Sequence, residues 1–237
     1  GEIAGVTDSR FSINFEQEND NIDGNKVDIR LSIILGGFGE TVVMRLLNQS
    51  ATKLDLAALN IRKQNLDRLL EAIEKPYGMI LNTGPTGSGK TTTLYSILAR
   101  LNKPEIKIIT VEDPIEYQIA GLLQTQTNDE AGYTFATALR ALMRQNPDII
   151  MIGEIRDDET AEIAIQSAST GHLVLSTLHA NSAAGTVSRL LKMGTSGDDL
   201  ANAGNLFMAQ RLVRKLCDRC KQESAPTAEE TAILERI

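Results

Sequence analysis

Gly84-Pro85-Thr86-Gly87-Ser88-Gly89-Lys90-Thr91 is the stretch that decides the fold of this chain. It matches the pattern G-x-x-x-x-G-K-[ST], in which glycines allow a tight turn whose N–H groups converge on phosphate oxygens. The following helix points its positive end at the same place, the lysine reaches the β- and γ-phosphates, and the hydroxyl ligates Mg²⁺. We therefore expect a phosphate-binding loop, with nucleotide contacts from Gly84, Pro85, Thr86, Gly87, Ser88, Gly89, Lys90, Thr91 and Thr92.

The chain around this loop alternates between short apolar runs and segments of helical periodicity. Residues 79–82 form an apolar run before the loop, and a helix is predicted from about 91 to 101. Further strands are predicted at 106–111, 149–152 and 173–177, and further helices at 66–73, 135–144, 158–169 and 183–191. Nearly continuous apolar strands separated by helices are typical of a parallel sheet covered on both faces. We predict an α/β fold with a mainly parallel sheet.

The first 50 residues have a different pattern. Residues 11–15 and 27–33 each alternate apolar with polar side chains, as half-buried strands do. Turn signals stand at Asp23-Gly24 and at 36–39, and a third β-rich run covers 41–47. We predict a small sheet here, with a boundary to the α/β region near residues 50–60.

The composition limits the classes of function. The 237 residues allow one or two domains, and the 42% of apolar residues suffice for a packed core. Only 4% of the residues are aromatic and the net charge is −7, so a nucleic-acid platform of stacked aromatics and positive charge is disfavoured. No apolar run approaches the roughly 18 residues that span a bilayer, and the two cysteines fit a reducing compartment. The sequence begins at Gly1 instead of Met, so we expect a piece of a longer protein.

Acidic residues follow two of the predicted strands. Glu154 comes after the apolar run 149–152, and the carboxyl ends of parallel strands are where a ligand crevice opens. We therefore expect Glu154 to organise Mg²⁺ and its waters together with Thr91. Glu112 and Glu116 lie in an acidic cluster after another predicted strand, where one of them would orient the attacking water. A solvated acidic turn is the alternative for that cluster.

Four arginines are candidates to offset the charge that develops during phosphoryl transfer. Arg140 and Arg144 are four residues apart and share one face of a predicted helix, although a surface pair explains the spacing equally well. Arg30 and Arg45 lie in the N-terminal sheet, from which an arginine of a neighbouring domain or subunit can reach a nucleotide. An ordinary surface position is the alternative for both.

The two histidines of the chain, His172 and His179, flank the predicted strand 173–177. Polar groups at the ends of a buried strand suggest a γ-phosphate sensor, and hydrogen-bonded capping of the strand is the alternative. Metal ligation has less support, since no third ligand is evident. Arg156 is expected to pair with a nearby acid such as Asp157.

Cys217 and Cys220 form a single C-x-x-C pair near the end of the sequence. Tetrahedral zinc needs four ligands, usually two such pairs, and no second pair follows here. The pair is therefore redox-active, without a partner, or half of a zinc site whose other half lies outside this sequence. We favour the last interpretation, because the sequence also begins at a residue other than Met.

Four longer segments resemble the motifs of the secretion and type IV pilus assembly ATPase family, the motors of type II secretion and pilus systems. They occur in the family's order, as a Walker A segment, an Asp box, a Walker B segment and a His box, at residues 83–93, 111–117, 144–157 and 170–180. Residues 27–45 resemble the end of the family's N-terminal domain, whose arginines reach an ATP held by the core. Three further segments are more similar to the assembly and secretion branch than to the retraction branch: residues 124–128, 191–194 and 214–221.

The resemblance implies a domain organisation. Residues 1–52 would be the C-terminal part of a small α/β, PAS-like N-terminal domain, and residues 53–210 a RecA-like P-loop ATPase core. Residues 211–237 would start a truncated C-terminal metal-binding subdomain, in which Cys217 and Cys220 supply an incomplete zinc site. ATP would lie between the first two domains.

The resemblance also implies a function. The chain would belong to a cytoplasmic motor, peripheral to the inner membrane, that uses ATP and Mg²⁺ to power assembly of pilin or pseudopilin fibres. The family works as a homo-hexamer on an inner-membrane platform protein, with membrane association only through partners, and the acidic charge gives no reason to expect nucleic acid. Two other interpretations stay open: a nucleotide-dependent switch with little turnover, and a pilus-retraction or DNA-translocating RecA-like motor.

Overall fold

The structure, a computed structural model, describes residues 7–15, 25–48 and 55–235. An antiparallel sheet of the N-terminal region has three strands in chain order: β1 (Thr7–Phe15), β2 (Asn25–Gly36) and β3 (Gly39–Asn48). The predicted break at 36–39 is the turn between β2 and β3, which confirms the small sheet. The Asp23-Gly24 turn lies outside the described residues.

The register of this N-terminal sheet places Arg30 directly opposite Arg45. Residues that face each other across antiparallel strands point to the same side of the sheet. The two arginines therefore share one face, while Ile29, which is buried, points to the other.

The second sheet of the described residues consists of β4 (Gly78–Thr83), β5 (Ile108–Glu112), β6 (Leu123–Gln126), β7 (Ile149–Ile152), β8 (Leu173–Leu178) and β9 (Gly204–Ala209). Their order across the sheet is β6-β5-β7-β8-β4-β9. Every neighbouring pair is parallel. The mainly parallel sheet that the apolar runs predict is thereby confirmed.

The helices of the described residues are α1 (Lys63–Ile73), α2 (Lys90–Leu101), α3 (Phe135–Met143), α4 (Asp158–Ser169), α5 (Ala183–Lys192), α6 (Gly197–Ala203) and α7 (Ala228–Leu234). Side chains cap several of their N-termini: Asp157, for example, accepts a hydrogen bond from the Thr160 N–H at 2.8 Å. None of these helices has the length and apolar character needed to cross a membrane.

The core lies on both faces of the parallel sheet, because successive residues of a strand point to opposite sides. In β4, Ile80 packs in a cluster with Leu69 of α1 and Leu94 of α2. Its neighbours Met79 and Leu81 pack in the opposite cluster, which contains residues of α3 and α4. This two-sided burial explains why the central strands are apolar runs without alternation.

Two strands and two α-helices were not predicted from the sequence: β6, β9, α6 and α7. The strand β6 reads Leu-Gln-Thr-Gln, is partly exposed and lies at an edge of the sheet, so it carries little apolar signal. The strand β9 occupies the opposite edge and is also partly exposed. Both helices have seven residues, too few for a clear helical period.

We expect Leu175→Ala in β8 to lower the free energy of unfolding by about 2–5 kcal/mol. Leu175 is fully buried in a central strand, so the substitution leaves a cavity. Leu191→Ala is the matched control, because this leucine is 46% exposed and should change the value by about 0.5 kcal/mol or less. Urea unfolding followed by circular dichroism measures both, and equal midpoints would contradict the assignment of the core.

Candidate functional site

The carboxyl ends of four parallel strands meet at one edge of the sheet, beside a cavity of about 670 Å³. The phosphate loop follows β4, the acidic cluster follows β5, Glu154 follows β7 and His179 follows β8. Residues from all four segments line the cavity, together with Arg45 of β3. The volume lies within the range of small-molecule sites, about 300–1,000 Å³.

Three glycines give the phosphate loop its shape. Gly84, Gly87 and Gly89 have φ angles of 153°, 75° and 84°, which side-chain-bearing residues rarely adopt. A Cβ on Gly84 would also lie 2.5 Å from the carbonyl oxygen of Gln210. Ser88 is buried within this turn, and its Oγ has no hydrogen-bond partner among the described residues. A buried hydroxyl without a protein partner fits a phosphate oxygen as its partner.

Lys90 begins α2 and keeps its ammonium group inside the loop. Its Nζ donates to the carbonyl oxygens of Gly84 at 2.9 Å and Pro85 at 3.2 Å. Burial lowers the pKa of Lys90, nearby Glu154 raises it and Arg211 lowers it, and the net change is downward. A cation that is partly withdrawn from water attracts phosphate more strongly than an exposed one does.

Gln210 and Arg211 contact the base of the phosphate loop, and neither was predicted from the sequence. The Gln210 N–H donates to the Thr83 carbonyl oxygen at 2.8 Å. Its Oε1 accepts from Asn82 Nδ2 and from Thr93 Oγ1, each at 2.8 Å. The Arg211 guanidinium donates to the Gln210 carbonyl oxygen at 2.9 Å. The only feature of the sequence that could have indicated them is their position as a polar pair directly after the apolar run of β9.

Glu154 is held between two basic side chains. Its Oε1 accepts from Arg156 at 2.5 Å, and its Oε2 lies 3.2 Å from His179 Nε2. Burial raises the pKa of Glu154, but Arg156 and then His179 outweigh it, so the net pKa is lowered. Glu154 is therefore an ionised carboxylate at neutral pH.

Two hydrogen bonds fix this carboxylate beside the end of β8. Thr177 Oγ1 donates to the Gly153 carbonyl oxygen at 2.8 Å, and the Ile155 N–H donates to the Thr177 carbonyl oxygen at 2.9 Å. The segment after β7 is thereby tied to the segment that carries His179. The two functional groups come together through one side-chain and one backbone hydrogen bond, which their sequence positions do not reveal.

Arg156 pairs with nearby acids as expected, although Asp157 is not one of them. It contacts Glu154 and also Asp113, at 3.1 Å, and its guanidinium lies 5.6 Å from the centre of the Phe135 ring. The Asp157 carboxylate instead caps α4, because helix N-termini bind such side chains well. Arg156 thus joins the Walker B segment to the Asp box.

The two candidate glutamates of the Asp box occupy different environments. Glu112 is 2% exposed; its Oε1 accepts from Thr110 Oγ1 at 2.6 Å and Gln124 Nε2 at 3.1 Å, and its Oε2 accepts from the Tyr95 hydroxyl. Glu116 is partly exposed and lines the cavity. A carboxylate whose two oxygens both accept from protein donors is poorly placed to take a proton from water, so Glu116 is the better candidate.

Of the two expected metals, Mg²⁺ and Zn²⁺, the residues that line the cavity fit Mg²⁺. Among the described residues, no group of three or more His, Cys, Asp and Glu side chains is placed to hold a metal ion. Mg²⁺ in nucleotide sites takes only one or two protein ligands besides phosphates and water, and Thr91 and ionised Glu154 line the same cavity. Cys217 and Cys220 are exposed thiols, and the described residues around them do not supply the further ligands that zinc needs.

A family profile described as "Type II/IV secretion system protein" matches residues 15–236. The chain belongs to this family. It is 54% identical over 210 residues to the type IV pilus assembly ATPase PilB of Myxococcus xanthus, covering 89% of this chain and 37% of that protein. It is 53% identical over 201 residues to the type II secretion system ATPase E of Vibrio cholerae, covering 85% and 40%.

The secretion-family fold is also seen in solved structures. The pilus retraction motor PilT with bound ADP is 33% identical, with a TM-score of 0.66, and the match covers 83% of this chain and 54% of PilT. The predicted RecA-like α/β fold and the predicted family are thereby confirmed. The chain spans about two fifths of the length of the curated relatives named above.

Of the four candidate arginines of this secretion-family chain, the structure brings Arg45 to the cavity. Arg30 lies opposite Arg45 on β2 but is not among the described residues that line the cavity. Arg140 pairs with Glu159 of α4 at 2.5 Å, and Arg144 donates to the Arg140 carbonyl oxygen at 3.0 Å. Within this chain their contacts are those of a surface pair, and a role of either arginine in charge stabilisation stays a prediction.

His172 lies at the opposite end of β8 from His179. The strand has six residues, which at about 3.3 Å each separate its ends by roughly 20 Å. His172 Nδ1 is 3.1 Å from the Ser167 carbonyl oxygen, a contact of the kind expected for strand capping. Of the two histidines, only His179 is among the described residues that line the cavity, and nucleotide sensing by His172 stays a prediction.

We expect Gly84→Ala to weaken nucleotide binding. The substitution adds a Cβ at a strained φ and against the Gln210 carbonyl oxygen, and strain of about 1–3 kcal/mol corresponds to a roughly 5- to 150-fold rise in Kd. Gly171→Ala is the control, because its φ is also positive but nothing lies near its Cβ. Titration with a fluorescent ATP analogue compares the two, and equal affinities would contradict this view of the loop.

We expect Arg156→Gln to raise the pKa of Glu154, because burial then outweighs the single remaining basic neighbour. Arg140→Gln is the matched control, since it removes a similar ion pair with Glu159 outside the cavity. Carboxyl carbon chemical shifts in an NMR pH titration report the change. The stabilisation that Glu154 gains from Arg156 is present above the ordinary glutamate pKa and is lost as the pH falls through the lowered value.

Proposed function

We propose that this chain is the ATP-hydrolysing part of a motor that drives assembly of pilin or pseudopilin fibres in type IV pilus biogenesis or type II secretion. One observation carries the proposal: the phosphate loop, ionised Glu154, the Glu116 segment and Arg45 all line one cavity at the strand ends. Family membership and the names of the relatives agree with it.

The side chains divide the work according to their surroundings. The loop N–H groups, Ser88 Oγ and Lys90 Nζ bind the phosphates of ATP. Thr91 and Glu154 hold Mg²⁺, which when bound offsets the phosphate charge. Glu116 orients the attacking water, and Arg45 offsets the negative charge that grows on the transferred phosphoryl group.

His179 contacts Glu154 and lines the same cavity, so it can report the state of the γ-phosphate to that carboxylate. Loss of the phosphate then alters contacts made by the Walker B and His box segments. Arg45 belongs to the N-terminal sheet, and a change in its contact with the phosphates shifts that sheet relative to the core. Hydrolysis is thereby converted into movement.

The sequence identities to relatives favour a role in pilus assembly over a role in pilus retraction. The chain is 54% identical to PilB, a pilus assembly ATPase, and 33% identical to the retraction motor PilT. We propose a homo-hexamer at the cytoplasmic side of the inner membrane that acts on a platform protein there, with no nucleic-acid substrate. The net charge of −7 agrees with the last point.

We expect Lys90→Ala and Glu154→Gln each to lower phosphate release by about 100-fold or more. Lys90→Ala should also weaken ATP binding, whereas Glu154→Gln should retain it, because the loop is unchanged. Lys192→Ala and Glu162→Gln are the matched controls on the exposed faces of α5 and α4. Full-rate hydrolysis by Glu154→Gln would overturn the proposed site.

The same assay separates a motor from a nucleotide switch. Turnover per molecule should rise with protein concentration if subunits complete one another's sites. A constant rate near zero at all concentrations, with ATP still bound, would support the switch instead.

A further inference from the structure

Tyr95 lies in the middle of the helix that follows the phosphate loop. Its side chain is fully buried, and its ring contacts the Tyr117 ring edge-on at a centroid distance of 4.5 Å. Its hydroxyl donates to Glu112 Oε2 and accepts from the Glu116 N–H at 3.3 Å. Burial and the Glu112 carboxylate both raise the pKa of Tyr95. The hydroxyl therefore keeps its proton and its role as donor to Glu112.

Glu112 is the fixed partner in this arrangement. Thr110 and Gln124 donate to its other oxygen, at 2.6 Å and 3.1 Å, and they come from β5 and β6. The Glu112 carbonyl oxygen also accepts from the Thr127 N–H at 2.9 Å. The carboxylate is thus anchored by two strands of the sheet and cannot turn toward the cavity without leaving buried donors unpaired.

The Tyr95 hydroxyl consequently links two parts of the site. It sits five residues after Lys90 on the same rigid helix, about 7.5 Å along the axis, so its position is fixed relative to the phosphate loop. Its contact with the Glu116 N–H holds the backbone of the Asp box at a set distance from that loop. The side chain of Glu116 projects from this backbone into the lining of the cavity.

We propose that Tyr95, aligned by Glu112, which Gln124 in turn holds in place, is a positioning residue that sets where the Glu116 carboxylate meets the attacking water. Glu112 then serves as the buried acceptor that orients the tyrosine and is not itself the group that acts on water. This inference rests on the proposed hydrolysis of ATP.

The test compares Tyr95→Phe with Tyr133→Phe on the full chain. Both variants remove one phenolic hydroxyl, and Tyr133 donates to Thr125 Oγ1 at 3.3 Å, outside the cavity lining. Tyr95→Phe should lower kcat for phosphate release by between about 10- and 100-fold, with KM and the affinity for a fluorescent ATP analogue within about twofold of wild type, because the phosphate loop is untouched. Tyr133→Phe should match wild type in all three values.

The Glu116→Gln variant, used as a second background, distinguishes loss of positioning from general structural damage. In Glu116→Gln the water-orienting group is already lost, so adding Tyr95→Phe should lower kcat no further. Gln124→Ala, at a partly exposed position of the same network, should give a smaller fall in kcat with unchanged KM and supplies the readout if Tyr95→Phe does not fold.

The outcomes are distinguishable. Absence of phosphate release by the wild-type chain at every protein concentration would overturn the proposed function. Normal release by the wild type, with Tyr95→Phe and Tyr133→Phe equally active, would overturn the positioning role alone. A further fall in the Glu116→Gln background would also overturn it, since the hydroxyl would then act independently of Glu116.

Discussion

The parallel pairing of β4 with β8 is the constraint on which the site depends. Six residue pairs, from Gly78 with Leu173 to Thr83 with Leu178, align the two strands so that they end at the same level. Thr83 extends the alignment beyond the sheet, because its Oγ1 accepts from the Ala180 N–H at 2.8 Å. The phosphate loop and the His box therefore leave the sheet side by side. A shift of one register position would reverse the side-chain faces of β8 and separate the groups that now share the cavity.

The sequence predicts those parts of the fold whose signal is local. Buried central strands are continuous apolar runs, and the phosphate loop carries its own glycines, so their positions follow from short stretches. The edge strand β6 lacks that signal because it is polar and partly exposed to solvent. The role of Gln210 could not be predicted from the sequence for a different reason. Its importance comes from Asn82 and Thr93, which lie more than a hundred positions away in the chain.

The same limit applies to the candidate site residues. Spacing shows that Glu112 and Glu116 lie near a strand end, but it does not distinguish the buried Glu112 carboxylate from the partly exposed Glu116. That distinction comes from Tyr95 and Gln124, on two other elements. Likewise, Arg140 has the spacing of a functional pair, yet its partner Glu159 is visible only once α3 and α4 are packed. Residue type and position thus define the candidates, and long-range contacts choose among them.

The position of Gln210 has a mechanical consequence. Its backbone extends the pairing of β9 with β4, its side chain joins β4 to α2, and its carbonyl oxygen closes one side of the phosphate loop at Gly84. The segment that carries Cys217 and Cys220 begins at the very next residues. A pull on that segment would therefore act on the phosphate loop through Gln210, since this one residue is bonded to both.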